Sequence, residues 1–135
     1  MSILFSRVQK INPQDRNAPK KWYPVLKRVS QVSEDEVAKQ ISDETTLNKN
    51  EAKMSMSQLE KVVLTNLLAS RSVKLGNWAS IHAKCRTTSS ETKEGVTAKN
   101  ITKVYVSVTI SQEFLDRLNS AARFVPVESL VSDSE

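Results

Sequence analysis

The stretch Val73-Lys74-Leu75-Gly76-Asn77-Trp78-Ala79-Ser80-Ile81-His82-Ala83-Lys84 narrows the folds open to this chain more than any other. Gly76-Asn77 are turn or bulge residues, because glycine and asparagine reach positive φ at little cost. Around them, Val73/Leu75 and then Trp78/Ser80/His82 against Ala79/Ile81/Ala83 alternate with the period of two of a strand. A long helical pattern precedes the stretch and a second, basic strand pattern follows it. That order is unusual for an enzyme core. It suits a sheet presented to a large, negatively charged partner.

The charge distribution supports such a partner. The 135 residues carry a net charge of +5, unevenly spread. Residues 1–32 hold seven basic and one acidic side chain, 33–60 hold three and seven, 61–110 hold eight and two, and 111–135 hold two and five. Two basic blocks separated by acidic, helix-like sequence imply an electrostatic face rather than a uniform cationic coat. With 39% hydrophobic residues the chain can build one core, while two glycines and 5% aromatics argue against a deep, loop-built active site.

Read in order, residues 2–11 form a strand, 12–21 a proline-containing loop and 22–32 a second strand, which Pro24 confines to an edge or bulge. The pair predicts a long-looped hairpin. Its Arg7, Lys10, Lys20, Lys21, Lys27 and Arg28 read first as a solvated edge that resists aggregation. Ser33 with Glu36 forms a capping-box pattern for a short helix to about Glu44, its apolar stripe being Val37, Ala38 and Ile41. Asn48 with Glu51 opens a long helix to about Ser70. Met56, Leu59, Val63 and Leu67, widened by Ala52, Val62, Leu64 and Leu68, give that helix a stripe broad enough for a dimer core. Residues 84–98 suit an exposed hairpin tip, 99–110 a β-branched strand, and Ser111 caps a last helix with Phe114, Leu115, Leu118, Ala121 and Ala122 on its apolar side. Residues 124–127 are expected to be extended and 128–135 an acidic, flexible tail.

Catalytic patterns are weak. His82 is the sole histidine and Cys85 the sole cysteine, so the chain can make neither a closed zinc site nor an internal disulfide. A single free cysteine fits a reducing cytosol. Two glycines cannot supply a phosphate-binding glycine motif. No enzymatic activity, cofactor, metal or small-molecule substrate is expected. Ser6, Arg7, Gln9 and Lys10 interrupt Ile3-Leu4-Phe5, so there is no signal-like apolar run, and no stretch approaches the roughly eighteen apolar residues of a membrane span. The chain reads as soluble and intracellular, without a membrane partner. Nucleic-acid binding has better support, since Lys84, Arg86, Lys93, Lys99 and Lys103 all fall in the expected β-ribbon, where they can follow phosphates along a groove.

The sequence of elements, with Asn77-Trp78-Ala79-Ser80-Ile81 standing where a Gly-Phe-Gly-Thr-Phe segment is usual, resembles the HU/integration host factor family of bacterial histone-like proteins. Val108-Thr109-Ile110-Ser111-Gln112-Glu113-Phe114 is similar to that family's lead-in to its last helix. The resemblance covers about residues 33–123, and it is closest to the variant group with an N-terminal β extension. It implies an α+β fold: two N-terminal helices, a β-sheet with a protruding β-arm, a C-terminal helix and an N-terminal β-hairpin. The expected divisions are 1–32 for the extension, 33–127 for the histone-like domain and 128–135 for the tail. It further implies a homodimer in the bacterial nucleoid that binds double-stranded DNA, with Lys84, Arg86, Lys93, Lys99 and Lys103 as arm contacts. The family's arm tip carries Arg-Asn-Pro, whereas this tip reads Ser90-Glu91-Thr92-Lys93-Glu94-Gly95-Val96. A minor-groove wedge needs an apolar tip, and here only Val96 offers one, so weak, largely nonspecific binding with little bending is expected. The competing expectation is an interaction module that keeps the dimeric fold without DNA binding and uses Trp22 and Tyr23 as its partner surface.

Overall fold

In chain order the elements of the computed structural model are β1 (Ile3–Lys10), β2 (Lys21–Leu26), α1 (Glu34–Glu44), α2 (Lys49–Leu68), β3 (Val73–Leu75), β4 (Ala79–Thr87), β5 (Ile101–Ile110), α3 (Gln112–Ala121) and β6 (Phe124–Pro126). The structure describes residues 1–127, so the acidic tail expected at 128–135 lies outside the described residues. The described residues divide into two compact units, one made of Met1–Val32 with residues 117–127, the other of Ser33–Asp116.

The first unit is built on a three-stranded sheet in the order β2-β1-β6. β1 and β2 pair antiparallel from Phe5 opposite Leu26 to Lys10 opposite Lys21. Pro24, opposite Arg7, is tolerated because β2 is an edge strand. The second strand stops at Leu26, six residues short of the expected end at 32. By then its partner is nearly exhausted: β1 begins at Ile3, and the last cross-strand bond runs from the Lys27 amide to the Leu4 carbonyl at 2.7 Å. The segment after α3, expected only to be extended, pairs parallel with β1, Ile3 facing Phe124 and Phe5 facing Pro126. Parallel pairing between opposite ends of a chain leaves no local pattern to read.

The second unit begins with two capped helices. Ser33 Oγ accepts from the Glu36 amide at 3.3 Å, and three acidic residues fill the first turn of α1. At α2 the reciprocal capping box is complete: Asn48 Oδ1 accepts from the Glu51 amide at 2.9 Å, and the Glu51 carboxylate accepts from the Asn48 amide at 3.2 Å. α2 ends in a Schellman turn, with the Arg71 amide donating to Asn66 and the Ser70 amide to Leu67. Ser70 holds the left-handed position of that turn at φ 61°, where glycine is usual. A 2.8 Å ion pair between Lys53 and Asp35 ties α2 to α1 and holds the Asp35 carboxyl below its ordinary range.

β3, β4 and β5 form an antiparallel sheet in that order. The turn from β3 to β4 uses Gly76 at φ +54°, and a Cβ there would lie 3.2 Å from the Trp78 ring. Trp78 stacks at a tilt on Phe114, ring centroids 5.7 Å apart, and its carbonyl accepts from the Ser111 amide at 2.8 Å. Ser111 Oγ then accepts from the Phe114 amide, capping α3 as the sequence anticipates. Gly76, Trp78 and Ser111 thus place the start of α3 against the start of β4.

Among the described residues the buried apolar side chains are Ala38, Ala52 and Ala79 alone. Ala38 and Ala52, small and buried, suit the packing of α1 on α2, and Ala79 is the first residue of β4. Among the described residues no large side chain is fully buried, although the sequence holds 39% hydrophobic residues. The stripe on α2 accounts for part of the difference: Met56, Val63 and Leu67 are half-buried, while Leu59, Val62, Leu64 and Leu68 remain exposed.

Candidate nucleic-acid interface

Strands β4 and β5 form a ribbon whose two faces differ completely in chemistry. The register sets Ser80 opposite Thr109, His82 opposite Ser107, Lys84 opposite Tyr105 and Arg86 opposite Lys103. The alternate residues pair as Ala79–Ile110, Ile81–Val108, Ala83–Val106 and Cys85–Val104. Side chains directly opposite in an antiparallel pair share a face, so one face is polar and basic and the other is apolar. Strand propensity explains why the apolar face is so regular, since Val104, Val106 and Val108 are β-branched and alternate with polar residues.

Strands β3, β4 and β5 contain no aspartate or glutamate. Arg86 and Lys103 therefore face each other without a carboxylate between them. Like charges directly opposite in a sheet are destabilising. β3 adds a further cation, because Lys74 is opposite Ser80 and so shares the polar face.

Of the five basic residues expected at the site, Lys84, Arg86 and Lys103 are brought together on this face. Lys93 and Lys99 are not: Lys93 sits in the loop beyond Thr87, and Lys99 in the 3₁₀ turn Ala98–Asn100 that precedes β5. That turn displaces the expected start of the strand from 99 to Ile101. Asn100 closes the loop base. Its amide group donates to the Thr88 carbonyl at 3.1 Å, its Oδ1 accepts from the Thr97 amide at 2.8 Å, and its carbonyl accepts from the Thr88 amide at 2.8 Å. A register shift between Arg86 and Thr87 marks where the regular ladder ends. Glu91 and Glu94 lie in the loop, so the distal end is mixed in charge whereas the ribbon itself is purely cationic.

Lys74 and Tyr105 also belong to this face, although the sequence alone does not place them there. The alternation in Val73-Lys74-Leu75 carries the signal for Lys74, but only the β3–β4 register shows which face it joins. Tyr105 reads as one more β-former until the ladder places it across from Lys84.

The register also separates the two reactive side chains. His82 lies on the polar face and Cys85 on the apolar one, so they cannot act as a nucleophile–base pair. Among the described residues no group of three histidine, cysteine or acidic side chains could hold a metal ion, and no helix is long and apolar enough to cross a membrane.

Comparison with known proteins agrees with this architecture. No curated protein matches the sequence. A crystal structure from Bacteroides vulgatus, described as that of a "putative bacterial DNA binding protein", superposes with a TM-score of 0.62 at 14% identity. The match covers 93% of this chain and 48% of that one, so this chain spans about half its length. At that identity the likeness concerns the fold, which is α+β with three helices and two small sheets. The family described as an HU domain fused to wHTH, Ig or glycine-rich motifs matches residues 1–125. The chain belongs to this HU-like family.

Proposed function

We propose that this protein is a non-enzymatic, dimeric DNA-binding protein of the variant group with an N-terminal β extension, and that the polar face of the β4–β5 ribbon contacts the phosphate backbone of duplex DNA. The opposed pair Arg86–Lys103 carries the reading. Two cations held face to face cost stability in the free protein, and an anion between them turns that cost into attraction. Lys74 and Lys84 extend the same face, and Tyr105, Ser80, Ser107 and Thr109 offer hydroxyls to phosphate oxygens. Lys93 and Lys99 act from the loop end. None of these groups reads base edges in a fixed pattern, so binding is largely nonspecific and rests on counterion release. The tip has no proline and only Val96 as a wedge, so bending is slight. The HU-like family and the description of the Bacteroides vulgatus protein point to the same partner. A nucleoid location follows from that partner.

The homodimer accounts for the other face. Val104, Val106 and Val108 are each more than half exposed, as are Leu64 and Leu68 on α2. Burying five such side chains is worth on the order of 10 kcal/mol per chain, similar to the whole stability of a domain. A second copy supplies the cover, with the apolar ribbon faces and α2 stripes meeting in an intertwined body from which the ribbons project as arms.

The competing reading, a protein-interaction module centred on Trp22 and Tyr23, is weakened by the register of β1 and β2. Trp22 is opposite Gln9 and Tyr23 opposite Val8, so the two aromatics lie on opposite faces of the sheet and cannot form one patch.

The test is a titration of random-sequence duplex DNA by fluorescence anisotropy at several salt concentrations, with a variant carrying alanine at 84, 86, 93, 99 and 103. Binding that weakens steeply with salt and is lost in the variant supports the reading. Absence of wild-type binding at low salt refutes it.

A further inference from the structure

A second cationic pair stands in the first unit, remote in sequence from the ribbon. Lys10 and Lys21 are directly opposite at the loop end of the β1–β2 ladder, on the same face as Tyr23. The Lys10 ammonium lies over the Tyr23 ring, 5.7 Å from its centre, a cation–π contact. Both lysines and Tyr23 line a hollow of about 580 Å³ together with Asn12, Pro13 and Pro19.

The loop that walls the hollow is ordered by its own bonds. Asn12 Oδ1 accepts from the Gln14 amide and Asp15 Oδ1 from the Asn17 amide, both at 3.0 Å, and two further backbone bonds link Asp15 to Asn12 and Ala18 to Asp15. Asp15 is the single acidic residue in the first 32, against seven basic ones, and its carboxylate is engaged within the loop. A loop that served only solubility has no need of two lysines facing each other across a ladder, an arrangement that weakens the hairpin. A hollow lined by two lysines and a tyrosine suits a phosphodiester oxygen, which can accept charge-assisted hydrogen bonds from ammonium groups.

We infer that the Lys10–Lys21 end of the N-terminal hairpin is a second phosphate contact for duplex DNA, separate from the ribbon, with Lys20 and Arg16 in the adjoining loop lending it long-range attraction. Tyr23 positions Lys10 and supplies a third donor. The contact shares its ligand with the ribbon but does not depend on it.

The experiment uses the full chain in three forms: wild type, Lys10→Gln/Lys21→Gln, and Lys84→Ala/Arg86→Ala/Lys103→Ala. Each is titrated with random-sequence duplex DNA, and with single-stranded RNA of equal length, at 50 to 200 mM salt. The hairpin variant is expected to bind DNA on the order of tenfold more weakly at the low-salt end, with a salt slope shallower by about two. Its melting temperature should equal or exceed that of wild type, because a repulsive pair is gone, so loss of binding cannot be blamed on unfolding. A hairpin variant with unchanged DNA affinity and slope overturns the inference, as does a defect seen with RNA alone. If the ribbon variant binds like wild type while the hairpin variant fails, the ribbon reading falls and this one stands. No DNA binding by any form overturns both.

Discussion

Arg86 and Lys103 are direct cross-strand partners in a ribbon whose strands carry no acidic residue. A neighbouring carboxylate would be the ordinary way to relieve such a pair. Like charges directly opposite in a sheet repel, and no carboxylate in this sheet is placed to offset the pair.

Replacing one member of the pair should therefore stabilise the free protein. Arg86→Gln, which keeps much of the side-chain length, is expected to raise stability by about 0.3–1 kcal/mol, the size of a cross-strand pair effect. Thermal melting at low ionic strength measures it, and added salt should shrink the gain by screening. A clear fall in melting temperature would mean that Arg86 has a stabilising partner and that the face is not frustrated.

The opposite face makes a different prediction. Val106 is 55% exposed and lies mid-ribbon opposite Ala83. Placing a charge at a position buried between two copies is strongly unfavourable, so Val106→Asp should shift the proposed dimer toward monomer at micromolar concentration. Sedimentation equilibrium separates the two masses. A dimer as tight as wild type would show that the apolar ribbon face is not the interface.

Helix ends in the second unit offer a paired test of opposite sign. Asn48→Ala removes the acceptor for the Glu51 amide and should cost about 1 kcal/mol. Ser70→Gly relieves a non-glycine residue at φ 61° and should contribute about 1 kcal/mol of stability. Urea unfolding of both variants against wild type checks the signs together.

The Asp35–Lys53 pair gives a pH dependence. The hydrogen bond from Lys53, and then its charge, lower the Asp35 carboxyl below its ordinary value of 3.8, while the same bond raises Lys53 above 10.5. The contribution of Asp35 is present above pH 3.8 and is lost as the pH falls through its lowered folded value. That of Lys53 is present below pH 10.5 and is lost as the pH rises through its raised one. Both groups are exposed, so the effect is small and salt-sensitive. The stability difference between wild type and Asp35→Asn should be seen at pH 7 and shrink as the pH falls below 3.8. A difference that does not shrink in acid would assign the effect to something other than the pair.

Local chemistry was readable in the sequence where one residue type does one job. Ser33, Asn48 and Ser111 mark their helices because a short acceptor before an amide-rich turn has few other uses. Gly76-Asn77 mark a turn with strand alternation on either side, but do not show that the chain reverses there into the antiparallel pair β3–β4. Pairing was not readable. Nothing local tells β6 to join β1 in parallel, or stops β2 at Leu26, because both depend on where another strand begins. The candidate site shows the same division. Lys84, Arg86 and Lys103 stand out by charge and period, but that Arg86 meets Lys103, that Lys74 joins them, and that Lys10 meets Lys21 are facts of register. A one-residue slip in either ladder would have put those cations on opposite faces.

The most direct measurement is the slope of log affinity against log salt for random-sequence duplex DNA, taken for wild type and for Arg86→Ala/Lys103→Ala. If the two cations each neutralise a phosphate, the variant's slope is shallower by about two and its affinity falls at every salt concentration. Equal slopes in the two proteins would contradict the account, leaving Arg86 and Lys103 as an unused charge pair on a solvated ribbon.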